Sequence, residues 1–456
     1  MPFIKKNISS ALFGSFMFFQ LALLGLGNHA GEDLLSSGKR EMVYYGFQVL
    51  VITGFIGYAV AERNLKSSHA QKYIVIADVI ILTAGSLIMC FADKATMFYV
   101  FAAFAVMPFL GFIGGSVYHR MSLETAAGSK TAQYMGIGNA AALALQYVLQ
   151  LQWGETPPLP LFMLAALTLT AAVLRNEPKT KPCENSEKAS PQSLLSACLT
   201  AAALILFVSF YNGYIHHLQI KTGYTSYNVY SWPRLMLIPC YLLFAFIGDK
   251  RQGRFVPVMS LCISLAAMLN SVLTGSAGAY RLNMCLYYCA IASSAAYYNL
   301  TFWRLAAGTK RPALWASMGR VLDSAMVLIC AGLQISKLSS AAVLAMNVFT
   351  LAALILIMTM NGSFDLSELQ REDDASKLLS PERTFELIKE QFSLTPRETD
   401  VLRELVLTED KQAVISDRLS ISVKVLQKYV TSLYKKTGAE TRSGLSELYH
   451  KTMMKL

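Results

Sequence analysis

Apolar runs of about 20 residues, the length that crosses a bilayer, recur through the first four-fifths of the chain. The pattern predicts twelve spans: 8–27, 42–61, 73–92, 95–117, 132–152 and 159–175, then 193–213, 230–248, 255–275, 281–301, 313–335 and 339–360. Between the sixth and seventh lies "RNEPKTKPCENSEKASPQ", residues 175–192, which is polar, rich in Pro and Lys, and cannot span. It divides the spans six and six. The first run leads directly into further spans, so it is read as a membrane segment and not as a cleaved signal peptide. From Asn361 the pattern changes. Residues 361–392 hold 8 acidic against 4 basic side chains. They include a short amphipathic helix that starts at Ser380 as N-cap with Pro381 in its first turn. Beyond it the pattern predicts four short helices. The first begins at the capping box Thr395/Glu398 and buries Val401, Leu402, Leu405 and Val406. A second runs from Lys411 to Leu419. The third covers 423–437, capped by Ser422 and ended by Gly438. A fourth starts after Thr441.

Composition sharpens this division. Hydrophobic residues make up 54% of the 456 and charged residues 15%, against about 25% charged in a soluble domain. The charge is too sparse to cover a soluble surface, and it is unevenly placed: 25 of the 40 Lys and Arg fall in residues 1–360, the other 15 in the last 96. The eight cysteines form no CxxC pair. Most lie at expected membrane depth, so neither a disulfide framework nor a metal site is expected. Cys285 and Cys289, one helical turn apart, read as small buried residues. His216 and His217 are adjacent, point apart on a helix, and read as interfacial.

With the N-terminus inside, the loops on that side carry 17 Lys and Arg and the outer loops 6. The positive-inside rule therefore predicts a multi-pass membrane protein with both termini cytoplasmic. Two six-helix halves, 1–175 and 193–360, joined by a polar linker at 176–192, resemble a major facilitator transporter. The loop "GDKRQGR", residues 248–254, is similar to the gating loop of that family through Gly248, Asp249, Gly253 and Arg254. The corresponding loop after the second span, "AERNLKSSHAQK", lacks the glycines and the Asp.

Polar residues inside spans are costly and are paired or line a cavity. Arg320 and Asp323, three apart on one helix face, either neutralise each other or form part of a pocket between the halves. Arg234 either snorkels to the interface or binds an anion. Asn299, with the tyrosines of the tenth span, completes a candidate pocket for a small aromatic or anionic ligand: Arg234, Asn299, Arg320 and Asp323.

The last 64 residues resemble the LuxR/NarL helix-turn-helix family. Leu394, Thr395, Arg397, Glu398, Val401 and Leu402 match the start of its pattern, Ile415, Leu419, Ile421, Ser422 and Leu426 the middle, and Tyr434, Lys436, Gly438 and Arg442 the end. Val425 stands where that family has Thr, Tyr429 where it has His, and the turn near Glu409 holds one extra residue. The resemblance places Gln427, Lys428 and Thr431 against base edges, where Gln pairs with adenine and Lys with guanine. It places Lys424, Lys435, Lys436 and Arg442 against phosphates and the surrounding backbone.

The expectation is an all-α chain with a membrane bundle of 12 transmembrane helices over 1–360, an acidic linker over 361–392, and a four-helix helix-turn-helix domain over 393–456. The implied function is a one-component transcription regulator in which a transporter-like domain senses a small molecule. Its partners would be membrane lipid, double-stranded promoter DNA bound as a homodimer, and RNA polymerase. The alternative is a secondary transporter carrying a regulatory DNA-binding domain. No nucleophile–base arrangement, phosphate loop or metal-spaced cluster points to an enzyme, and no cofactor is implied. No alternation of strands and helices points to a phosphorelay receiver.

Overall fold

The computed structural model describes residues 2–28, 37–65, 68–153, 158–175, 190–222, 232–273, 277–361, 381–408 and 410–453, with Ala30 and Leu35. The linker at 176–189 and most of the acidic stretch, 362–380, lie outside the described residues, as do the side chains of His216 and His217. All regular structure among the described residues is helical. The chain forms two compact units, Met1–Phe364 and Asp365–Leu456.

The first unit contains α1 (Pro2–Asn28), α2 (Ser37–Asn64), α3 (Ser68–Phe91), α4 (Met97–Ala126), α5 (Thr131–Trp153) and α6 (Pro158–Arg175). It continues with α7 (Pro191–Thr222), α8 (Leu237–Gly248), α9 (Phe255–Leu273), α10 (Ala277–Ala306), α11 (Pro312–Gly332) and α12 (Ser340–Met360). Seven of these, α1 to α4, α7, α11 and α12, are long and apolar enough to cross a membrane, the mark of a multi-pass membrane protein. Shorter apolar stretches lie at Leu159–Leu174, Trp232–Gly248 and Phe255–Ser271.

The remaining two helices, α5 and α10, have the length but are diluted by polar residues, and the polar residues face inward. Asn139 and Gln146 on α5 are buried, as are Asn283, Ser293 and Asn299 on α10. Both helices turn these polar groups to the interior, while α5 also presents Ile137, Leu145, Val148 and Leu151 outward. The eighth segment also differs from its expected form. A 3-10 turn at Trp232–Met236 precedes α8, and Arg234 sits in that turn.

Small residues bring helices into contact, as packing inside a bilayer requires. A Cβ on Gly54 would lie 2.0 Å from the Pro108 carbonyl, so α2 and α4 cross at backbone distance. Across the two halves, α1–α6 and α7–α12, α2 packs on α11 and α5 on α8. At the second contact a Cβ on Gly136 would meet the Tyr241 carbonyl at 2.4 Å.

One polar device ties the halves together. The Asp249 carboxylate, just past α8, accepts the backbone amides of Ala132 and Gln133 in the first turn of α5, both at 2.9 Å. A carboxylate here satisfies two of the orphan donors of a helix N-terminus and complements its positive end. Arg304 of α10 donates to the Gly248 carbonyl at 2.6 Å. Gly253, at φ +72°, closes the loop where a Cβ would collide with the Arg304 guanidinium. The loop that reads as a gating element is thus built as a clasp.

The second unit has five helices among its described residues: α13 (Pro381–Gln391), α14 (Pro396–Leu407), α15 (Gln412–Arg418), α16 (Val423–Thr437) and α17 (Arg442–Met453). The sequence assigns α13 to a linker and counts four helices after it. In the structure α13 joins the core. Phe385 and Ile388 are buried with Leu402, Leu426 and Leu445, and the Phe385 ring packs on Tyr449 with centroids 4.8 Å apart.

Replacing Asp249 with Ala removes both acceptors from the α5 N-terminus. A lost cap weakens a helix end by about 1 kcal/mol. Amide hydrogen exchange at Ala132 and Gln133 is expected to speed up about fivefold in the variant, read by mass spectrometry of the full chain in nanodiscs, while exchange in α16 stays unchanged.

Candidate functional site

The geometry of α16 begins with the turn before it. Ser420 adopts φ +55°. Its amide bonds to the Asp417 carbonyl at 3.1 Å, and the Ile421 amide bonds to the Ser416 carbonyl at 3.0 Å. This is the Schellman pattern that stops α15, here formed on a serine instead of the usual glycine. Ser422 then caps α16, its hydroxyl accepting from the Val425 amide at 3.4 Å. At the far end Gly438, at φ +76°, ends the helix.

Leu426, Val430 and Leu433 recur at four- and three-residue intervals and face the core. The opposite face is exposed and carries Lys424, Gln427, Lys428, Thr431 and Lys435. The first four line an open surface recess. Among the described residues, no protein group is bonded to the side chains of Lys424, Gln427, Lys428 or Lys435. The Thr431 hydroxyl donates back to the Gln427 carbonyl at 2.9 Å. Val423 and Val425, 40% and 38% exposed, flank this stripe. Sequence reasoning gave neither valine a functional role.

Lys436 and Arg442, the other two residues expected at DNA, have different surroundings. Lys436 Nζ lies 2.8 Å from Glu398 Oε2 and donates to the Ser393 carbonyl at 3.2 Å. Arg442 donates to the carbonyls of Leu405 (2.8 Å), Asp410 (2.7 Å) and Thr408. It thereby satisfies the C-terminal end of α14 and the turn after it. Both cations hold the unit together, and the outward stripe is reduced to five side chains.

Glu398 is the anchor beneath the stripe. It is 4% exposed. Its carboxylate accepts the Thr395 amide at 2.7 Å, the Ser432 hydroxyl at 2.6 Å and the Lys436 ammonium. The capping box was legible in the sequence. The reach to α16 through Ser432 and Lys436 was not, because those residues lie 34 and 38 positions away. Burial opposes ionisation of Glu398, but the bonds from Lys436, Ser432 and Thr395 outweigh it and hold the carboxyl down at about 2.

In the membrane unit, Arg320 and Asp323 on α11 form an ion pair at 2.6 Å with side chains 18% and 29% exposed. Arg320 also donates to the Tyr298 hydroxyl at 3.2 Å. Next to them, the Ser324 hydroxyl meets Gln48 of α2 at 2.8 Å. Tyr44 of α2 stands within electrostatic reach of both charges and is 38% exposed. Residues from both halves thus meet around one partly open polar cluster. Asn299 adjoins Tyr298, with its amide nitrogen 3.9 Å from Met135 Sδ and its carbonyl oxygen buried without a hydrogen bond. Arg234 is not shown in this cluster; it donates to Gln146 of α5 at 3.0 Å. No group of His, Cys, Asp or Glu suited to a metal ion is present among the described residues.

No family model matches this chain, and no curated protein matches it.

Glu398→Gln removes the charge that Lys436, Ser432 and Thr395 converge on and is expected to destabilise the second unit by about 2 kcal/mol at neutral pH. Because the folded carboxyl lies below its ordinary value, the stabilisation is complete above about pH 4.5 and is lost as pH falls toward 2. Urea unfolding of a fragment from Asp365 to Leu456 across that range checks both. The wild-type curve should lose stability on acidification, and the variant should lack that component.

Proposed function

We propose that the chain is a membrane-embedded, one-component transcription regulator. Its second unit presents α16 to the major groove of promoter DNA, and its first unit senses a small molecule. The reading rests on one observation. α16 exposes Lys424, Gln427, Lys428, Thr431 and Lys435 along one face while its other face is locked into a core. A cationic helix on a short rigid turn, with amide and ammonium donors free to meet base edges, is what groove recognition needs. Gln427, Lys428 and Thr431 read bases in this scheme, and Lys424 and Lys435 hold phosphates. The unit carries a modest net charge of +3 from Ser393 onward, so one copy binds weakly and a homodimer on two half-sites is expected. RNA polymerase is the partner that converts binding into regulation.

The resemblance of the sequence to a LuxR/NarL domain, a bacterial family, and to a major facilitator supports this reading, as does the excess of basic residues in the loops predicted to face the cytoplasm. On this view all twelve helices of the first unit span, in two six-helix halves. The Arg320–Asp323 cluster is the ligand site, lined by both halves, and the Asp249 clasp is the element whose engagement differs between two states. A ligand shifts such an equilibrium only through unequal affinity for the two states.

A second reading, a secondary transporter with an attached regulatory domain, is favoured by Asp78. This residue of α3 is 4% exposed, and neither carboxyl oxygen has a hydrogen-bond partner among the described residues. A buried unpaired acid inside a membrane bundle is the kind of group that carries protons.

Selection from a random duplex pool with the fragment Asp365–Leu456 tests the first reading. A defined half-site should emerge. Gln427→Ala with Lys428→Ala is expected to weaken binding to that site by at least tenfold with an unchanged melting temperature, since each good base contact is worth about 1–3 kcal/mol. Lys436→Ala is expected to lower the melting temperature instead.

A further inference from the structure

A cavity of about 460 Å³ lies among α2, α3, α4 and α6, away from the Arg320–Asp323 cluster. Its wall is aliphatic, from Leu65, Val75 and Val79 to Ala171, Ala172 and Leu174. On α3 its lining includes Ile76 and Ile80, which are 43% and 63% exposed. On a span-length apolar helix such residues face hydrocarbon. The polar groups are few. Glu62 and Arg120 carry opposite charges, and Arg120 lies 3.5 Å from Glu124. The Gln71 amide is spent on the Leu65 carbonyl at 2.9 Å, and the Ser116 hydroxyl on the Ile113 carbonyl at 2.7 Å. Beside these charged groups lies a linked neutral pair: the Tyr58 hydroxyl and His119 Nδ1, 3.2 Å apart. The second ring nitrogen of His119 has no protein partner among the described residues.

We propose that this cavity binds a neutral amphiphile, an apolar body ending in one hydroxyl or carbonyl group, which enters sideways from the bilayer. The cavity carries no net charge to select an anion or a cation. It offers one neutral hydrogen-bonding station, the Tyr58–His119 pair, in a wall that is mostly apolar, as ligand pockets are built. At roughly 30 Å³ per water-sized group, the space holds about fifteen non-hydrogen atoms. That suits one medium chain or a small ring system better than a two-chain phospholipid. The site goes beyond the DNA-binding reading and does not depend on it. Occupancy would wedge α3 against α6 within one half.

The test uses the full chain in nanodiscs with a photoactivatable dodecanol whose diazirine sits at the chain end. Matched dodecane, dodecanoate and phospholipid probes run in parallel. Dodecanol is expected to label peptides of α3 and α6, and Ala172→Trp, which fills the cavity, to cut that labelling at least tenfold. Val79→Trp, on the opposite wall, provides the same block if Ala172→Trp fails to fold. His119→Ala and Tyr58→Phe are expected to erase the preference for dodecanol over dodecane while leaving the hydrocarbon label in place. Labelling spread evenly over the lipid-facing helices and indifferent to either Trp variant would mean bulk lipid contact only and overturn the proposal. So would dodecanoate or phospholipid labelling α3 and α6 as strongly as dodecanol.

Discussion

Two backbone amides at the start of α5 have no partner within their own helix, and the carboxylate that accepts them, Asp249, belongs to the other half of the membrane unit. Helices in a bilayer satisfy their own backbone everywhere except at their ends. The ends are therefore where two packed bundles can be coupled by few but strong interactions. Asp249 couples them at one point, and Arg304 and Gly253 shape the loop that delivers it. Elsewhere the halves meet through close backbone contact, as at Gly136, and through side-chain hydrogen bonds, Arg234 to Gln146 and Ser324 to Gln48.

The second unit is organised by a different buried acid. Glu398 gathers the start of α14 and the back of α16 onto one carboxylate. The outward face of α16 is then held by what lies behind it: apolar contacts of Leu426, Val430 and Leu433, and a fixed cation, Lys436. α16 is thereby divided into an anchored back and an exposed front. Arg442 serves the same end by closing the far side of α14.

Much of this was legible in the sequence, for physical reasons. Long apolar runs marked the membrane helices because hydropathy acts locally. The caps of α14 and α16, Thr395 and Ser422, and the glycine stop at Gly438 were readable because each is a short-range backbone requirement. What escaped was non-local. Nothing in the spacing of Lys436 and Arg442 shows that one pairs with Glu398 and the other closes a helix end. Nothing in the acidic stretch before α14 shows that Phe385 meets Tyr449. α5 and α10 read as further spans by their length, yet their polar residues, Gln146 and Asn299 among them, turn inward. A run of hydropathy cannot tell a lipid-facing helix from one that lines an interior. The pairing of Arg320 with Asp323 was one of the two arrangements their three-residue spacing allowed. The approach of Gln48 and Tyr44 from the other half was not.

The central claim is that a chain with a membrane bundle acts on DNA through α16. The most direct measurement is chromatin immunoprecipitation with sequencing on cells carrying the tagged full-length chain, beside a Gln427→Ala, Lys428→Ala variant present at equal level in the membrane. Discrete peaks at promoters, lost in the variant, are the expected result. Absence of peaks under every growth condition tried, or peaks that persist unchanged in the variant, would contradict it.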